Sequence, residues 1–276
     1  MLDSKIKKSN TPDISVIILT WNSEIYIENC VTSFLRDCNR LYSCEVFIVD
    51  NGSSDKTRDC IGRLKREYGR TIKPIFLEKN YGTTYPRNIA LKQAKGDFIA
   101  IVDSDVEVGK STIRRLIEVL NSNKNVGIVA PKLVYPSGHL QKSTDDFPTI
   151  FTKVFRYFFL KLIEKREKEK SPSGLTQVDY AISAMWMLKR ELLKVVGLLD
   201  ENITYAPEDV DYCLRVWKSG YEVLYIPDVT CVHHTQEISR GLSINRATIE
   251  HFRGLVYYFW KHKYLIRKPS CNPSRS

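Results

Sequence analysis

Asp97-Phe98-Ile99-Ala100-Ile101-Val102-Asp103-Ser104-Asp105-Val106 is the stretch whose reading decides the fold. The apolar run has the length and composition of a buried strand, and it stops at two carboxylates one serine apart. In extended backbone, residues i and i+2 point to the same side, so Asp103 and Asp105 are expected to converge. Two carboxylates aimed at one place repel and lose hydration unless a cation or donor lies between them. Oxygen ligands of this kind suit Mg2+ or Mn2+. An isolated Asp-x-Asp is also an ordinary polar turn at a strand end. The surroundings decide.

Toward the N-terminus, residues 14–19 (Ile-Ser-Val-Ile-Ile-Leu) read as a buried strand ending at Thr20-Trp21-Asn22. Ser23 is placed to cap a helix with Ile27, Val31, Phe34, Leu35 and Cys38 at helical spacing. Residues 45–49 form a second strand, and the turn-rich Asp50-Asn51-Gly52-Ser53-Ser54-Asp55 opens a helix to about Tyr68. A third strand at 75–77 leads through Asn80-Tyr81-Gly82 to a helix holding Arg87, Asn88 and Leu91. The Asp103 strand is the fourth, followed by a helix over 111–120. This alternation predicts a parallel α/β sheet with right-handed crossovers. Ligands of such sheets bind beyond the carboxyl ends of the strands, where Thr20, Asn22, Asp50, Asp103 and Asp105 all fall. The first strand is not followed by Gly-x-Gly-x-x-Gly, which disfavours a dinucleotide, and the chain has no Walker lysine loop.

After Pro131 the pattern changes. A hairpin is expected around Tyr135-Pro136-Ser137-Gly138, then a basic amphipathic helix over 151–163 and a charge run over 164–170. That helix either packs on its own domain or docks on an anionic membrane surface. Residues 178–188 read as a strand, 189–196 as a helix, and Pro207 sits at the first turn of a helix that stops at Gly220. Glu208 and Asp209 therefore lie in a first helical turn, where the macrodipole favours carboxylates. Acids at that position are also common as structural helpers. A short strand over 222–226 and another ending at Thr230-Cys231-Val232-His233-His234 precede a flexible 239–243 segment and a final helix over about 246–264.

At 276 residues the chain fits one large domain. We divide it into a 13–131 half and a 132–265 half of the same domain, with disordered tails expected at 1–12 and 268–276. Its net charge of +10 permits nucleic acid, an anionic membrane or phosphorylated ligands without choosing among them. Seven scattered cysteines without a Cys-x-x-Cys pair read as reduced thiols rather than a disulfide frame or zinc site. The polar start and the lack of a run near about 20 apolar residues predict neither signal peptide nor membrane span. The expected location is cytoplasmic, with peripheral contact at the cytoplasmic membrane face.

The ordered blocks are residues 15–22, Asp50 to Asp55, Asn80-Tyr81-Gly82 with Arg87-Asn88, Asp103-Ser104-Asp105, Gly197-Leu198-Leu199-Asp200-Glu201, and Glu208-Asp209-Val210-Asp211 with Arg215. Together they resemble a family 2 glycosyltransferase of the GT-A fold, closest to the rhamnosyltransferase-like branch that builds surface glycans. The resemblance covers about residues 13–265. It implies a mostly parallel, Rossmann-like sheet with flanking helices and a C-terminal acceptor-side elaboration. It also implies a nucleotide-sugar donor (UDP- or dTDP-sugar), a glycan or lipid-linked acceptor, Mn2+ or Mg2+, and no nucleic acid. Thr20, Asn22 and Asp50 would hold the nucleoside, Asp50 through the base. Asn80, Gly82, Arg87 and Ser104 would lie at the donor, and Asp103 would contact ribose and sugar. Asp105 would bind the metal, Asp209 would be the catalytic base, and Glu208 would stand beside it. His233, or His234 by a register slip, would join the metal or diphosphate; the alternative for both is a surface strand end. Leu19 and Trp21 depart from the usual proline and tyrosine, affecting the turn and the stacking aromatic rather than the chemistry.

One base without a second carboxylate with a clear claim to be a nucleophile fits a single displacement with inversion, and the sequence leaves a retaining route open. Two rivals stand beside this reading. A nucleotidyltransferase is expected to carry a Gly-rich, arginine-containing loop after strand one, where this chain has Thr20-Trp21-Asn22. A non-catalytic nucleotide or nucleic-acid binder would explain the charge but has no need of Glu208-Asp209.

Overall fold

The structure, a computed structural model, describes residues 11–38, 41–149, 174–235, 246–266 and 268–269. The expectations for 151–163, for the 164–170 charge run, for 239–243 and for most of both tails lie outside the described residues.

Strands β1 (Ile14–Thr20), β2 (Cys44–Asp50), β3 (Ile72–Phe76) and β4 (Phe98–Asp103) pair in parallel in the order β3-β2-β1-β4. The helices between them are α1 (Ile27–Cys38), α2 (Thr57–Tyr68) and α3 (Thr84–Leu91). After β5 (Val106–Val108) comes α4 (Thr112–Ser122). Successive strand residues face opposite ways. Val16, Ile18, Val46, Ile48, Ala100 and Val102 pack with residues of α1, α2 and α4. Ile17, Phe47, Val49, Ile99 and Ile101 pack on the other face with Ala90 and Leu91 of α3. Burial on both faces is why these strands read as unbroken apolar runs, and each fully buried aliphatic contributes about 1.5–3 kcal/mol.

The second half adds β6 (Val126–Val134), the short β7 (Thr144–Asp145), β8 (Thr176–Gln177) and β9 (Tyr180–Ala181), then β10 (Met185–Lys189) and β11 (Glu222–His233). Its helices are α5 (Leu192–Val196), α6 (Glu208–Lys218) and α7 (Arg246–His262). Strands of both halves share one sheet, continuing β4-β10-β6-β11-β5, and β6 runs through position 131. The turn expected at 135–138 is present, with Tyr135 N donating to His139 O at 2.8 Å.

The sheet is mostly parallel, as expected, with β10 antiparallel between β4 and β6, because an apolar run carries no sign of its direction. Two local expectations are corrected. Residues 178–188 hold two strands, separated by a turn at 183–184, rather than one. Residues 222–233 are one strand rather than two, with a register shift between Ile226 and Thr230 where Pro227 has no N–H for the ladder. Ser23 also differs from the cap expected of it. Its carbonyl accepts from Tyr26 and Ile27, but its hydroxyl bonds Ser104 Oγ at 2.8 Å.

Candidate active site

Parallel register sets Thr20 opposite Asp50 and Leu19 opposite Asp103, so the polar strand ends stand side by side. Thr20 is buried, and its hydroxyl has no hydrogen-bond partner. Asp50 is fully buried and accepts from Arg58 Nε at 2.6 Å and from Ser53 N at 3.3 Å. Asn22, at φ 50, accepts from Ser54 N at 2.8 Å, while its own N–H donates to Ser53 Oγ at 2.9 Å. These bonds tie the ends of β1 and β2 into one rim.

Asn51 organises the next piece. Its side-chain amide donates to Asn80 Oδ1 and Gly82 O, and its Oδ1 accepts from Tyr81 N. Gly82 has φ +86, and a Cβ there would lie 2.1 Å from Thr204 O, so the Asn80–Gly82 turn tolerates no side chain at its apex. That contact brings the loop before α6 against the rim formed by the ends of β1 and β2.

Beyond β4 the chain turns into β5, and β5 pairs antiparallel with the end of β11, with His233 opposite Val106. Ligand atoms of Asp103, Asp105 and His233 therefore lie within 4.8 Å of one another. His233 Nε2 is 3.3 Å from Asp105 Oδ1, and its Nδ1 is 2.9 Å from Gln141 Oε1. Since Gln141 Oε1 can only accept, Nδ1 carries the proton and Nε2 is the atom presented to the acids. Burial works against protonating His233, yet the hydrogen bond and charge of Asp105 hold its pKa above the ordinary value. His234 faces elsewhere: its Nε2 is 2.9 Å from Glu107 Oε1, because alternate strand residues point to opposite sides.

Arg87 ties this group to α6. It is 2 % exposed, with Nη2 2.5 Å from Asp103 Oδ1 and Nη1 2.9 Å from Ser183 Oγ and 3.4 Å from Glu208 Oε1. Burial raises the Asp103 carboxyl; Arg87 opposes the rise, and Asp105 adds to it. Glu208 is pushed up to about 8, first by burial and then by the charge of Asp209, against the pull of Arg87. Asp209 is half-buried in the same first turn, and its Oδ1 accepts from Val210 N at 2.7 Å.

A cleft of about 450 Å3 joins these groups, lined by Trp21, Arg87, Asp103, Ser104, Asp105, Glu208, Asp209 and His233. Gln141, Ser183, Tyr205 and His251 also line it, and none of these four stood in a sequence motif. Asn51 was legible as the neighbour of Asp50, whereas Gln141, Ser183 and His251 reach the cleft only through β-pairing and helix packing. Helix α7 closes one wall: a Cβ on Gly254 would lie 2.1 Å from Ala206 O, so helix and loop meet backbone to backbone. The helix is pinned by Asp211, which is 1 % exposed and accepts from Lys261 at 2.6 Å, His262 at 2.8 Å and Arg215 at 2.9 Å.

The sheet order and acid-bearing strand ends define a GT-A fold. The mannosyltransferase PcManGT from Pyrobaculum calidifontis, solved with GDP-Man and Mn2+, shares it with a TM-score of 0.61 and 21% identity, over 95% of this chain and 67% of that one. The model of the family described as Glycosyl transferase family 2 matches residues 15–197, and the chain belongs to that family. It is 30% identical over 227 residues to the poly(ribitol-phosphate) beta-glucosyltransferase of Bacillus spizizenii, a match covering 78% of this chain and 34% of the relative. To the dTDP-rhamnosyl transferase RfbF of Shigella flexneri it is 26% identical over 229 residues, covering 80% of this chain and 69% of the relative. The chain thus spans about a third of the length of the Bacillus relative.

Proposed function

We infer that the chain transfers a sugar from a nucleoside-diphosphate sugar, a UDP- or dTDP-sugar, to a hydroxyl of a glycan or lipid-linked acceptor. The observation that carries this reading is the meeting, in one cleft, of the Asp103/Asp105/His233 group with the Glu208/Asp209 pair, bridged by Arg87. Thr20, Asn22 and Asp50 do not line the cleft; their rim adjoins Trp21, which does line it and, 41 % exposed, offers a face for stacking on a base.

Two carboxylates and one imidazole with a fixed tautomer fit a divalent ion of the Mn2+ or Mg2+ kind. Asp103, Asp105 and His233 would hold it, and when bound it supplies Lewis-acid stabilisation for a departing diphosphate. Arg87, buried and cationic beside Asp103, orients the strand-end carboxylate and adds positive charge where the leaving group gathers negative charge.

At neutral pH Glu208 holds its proton, which leaves Asp209 as the basic member of the pair. Asp209 takes the proton of the acceptor hydroxyl as the new bond from that oxygen to the anomeric carbon forms. The bond from that carbon to the diphosphate breaks, with the electron pair leaving on the diphosphate. One base on one face gives inversion.

The test is thermal shift and donor turnover with a panel of nucleoside diphosphates and their sugars, with and without Mn2+. Binding of one nucleoside diphosphate stabilises the native state by mass action and identifies the donor nucleotide. A panel in which none stabilises the protein and no sugar donor is consumed overturns the reading.

A further inference from the structure

Helix α7 has two apolar faces. Tyr258 is fully buried and Gly254 is packed on the Ala206-Pro207 loop, with His251 turned to the cleft. At about 100° per residue, Ile249, Phe252, Val256 and Trp260 fall together on the opposite side. They are 46, 68, 55 and 74 % exposed, and Leu265 and Ile266 beyond the helix are 50 and 66 % exposed. Arg253, 72 % exposed and 3.3 Å from Glu250 Oε1, and the exposed Lys263 flank the face. A surface helix whose core contacts are already made has no internal need for an outward Phe and Trp.

We propose that this outer face of α7 is the surface by which the protein docks on an anionic lipid bilayer. Aromatic and aliphatic side chains flanked by Arg and Lys are what an interfacial helix presents, the rings entering the headgroup boundary and the cations meeting lipid phosphates. The chain's net charge of +10 complements such a surface and repels a second copy. Size also argues against a second copy. The 17-residue helix is about 25 Å long and about 10 Å wide, so two such faces would bury on the order of 500 Å2, short of the roughly 1,200 Å2 of a stable interface. Among the described residues no helix is long and apolar enough to cross a membrane, so the contact is a surface one. The inner side of the same helix carries His251 at the cleft, so docking holds the cleft about one helix diameter, roughly 10 Å, from the bilayer surface, within reach of a lipid-linked acceptor. Only this last consequence rests on the glycosyl-transfer reading.

The experiment is co-sedimentation of the full chain with phosphatidylcholine vesicles and with vesicles containing phosphatidylglycerol, at low and high salt. Sedimentation velocity is run without lipid, and nucleoside-diphosphate binding is measured on the same preparations. Wild type is expected to pellet with the anionic vesicles, less so at high salt. The double variant Phe252→Ser/Trp260→Ser is expected to lose at least about tenfold in vesicle affinity. Arg253→Glu/Lys263→Glu is expected to lose the preference for anionic lipid. Both keep the wild-type melting temperature and nucleotide binding, since all four side chains are exposed. Failure of wild type to bind anionic vesicles, or undiminished binding by Phe252→Ser/Trp260→Ser, overturns the proposal. So does a concentration-dependent dimer that the same substitutions abolish. Nucleotide binding reports separately on the glycosyl-transfer reading, and its failure leaves the vesicle result standing.

Discussion

Arg87 Nη2 sits 2.5 Å from Asp103 Oδ1, and the other end of the same guanidinium reaches Glu208, so a cation from α3 joins a strand-end acid to a helix-start acid. Arg87 is 2 % exposed and Glu208 10 %, whereas 34 % of the Asp103 side chain meets solvent. Removing one partner of a buried pair leaves the other charge uncompensated. Because water reaches Asp103 and Glu208 holds its proton at neutral pH, Arg87→Met is expected to lower the unfolding free energy by about 1–3 kcal/mol, read as a fall in the urea midpoint without a change in slope. A loss below about 1 kcal/mol would show that the pair is solvated like a surface ion pair.

Asp209→Asn keeps the size of the side chain and removes its basicity. Transfer is expected to fall by about 10^2–10^4-fold, with UDP or dTDP affinity nearly intact. The check is kcat against nucleotide Kd for the same preparation, and retained turnover would contradict the role of Asp209.

Asp105→Ala removes one of the three ligand atoms clustered at the end of β4. The expected outcome is loss of the Mn2+-dependent part of nucleotide stabilisation in thermal shift, with the metal-free melting temperature little changed. An unaltered Mn2+ titration would contradict the ligand assignment.

Glu208 supplies the pH dependence. Its folded pKa of about 8 lies above the ordinary glutamate value, chiefly through burial. Between those two values the native state binds the proton and the unfolded chain does not. Stability is therefore expected to be fully present at the acid end of that window, to fall as pH rises through about 8, and to level beyond. Arg87, Asp209, Asp103 and Ser183 are the polar groups around it. Denaturation midpoints across this range should fall less steeply in Glu208→Gln than in wild type, the remaining slope coming from His233, whose raised pKa acts in the same direction.

Much of the frame was legible in the residues themselves. Strands buried on both faces must be apolar along their whole length, so β1, β2 and β4 announce themselves; the acid pair after β4 was legible too, but β4 ends at Asp103 and a turn over 104–105, not a strand period, sets Asp105 beside it. The first turn of α6 was readable from Pro207 and the acids after it, since local backbone preference and the helix macrodipole act over a few residues. What needed the tertiary structure is everything carried by contacts between distant segments. Only the pairing of β11 with β5 brings His233 rather than His234 to the acids, and only the seating of β10 beside β4 delivers Ser183 to Arg87. The backbone contact of Gly254 with Ala206 makes a C-terminal helix the wall of the cleft and turns its second apolar face outward. Side-chain period and propensity are local properties, fixed by the chain's own sterics. Strand direction, register and the partner of a buried charge are settled by packing across the whole sheet, which no local pattern records.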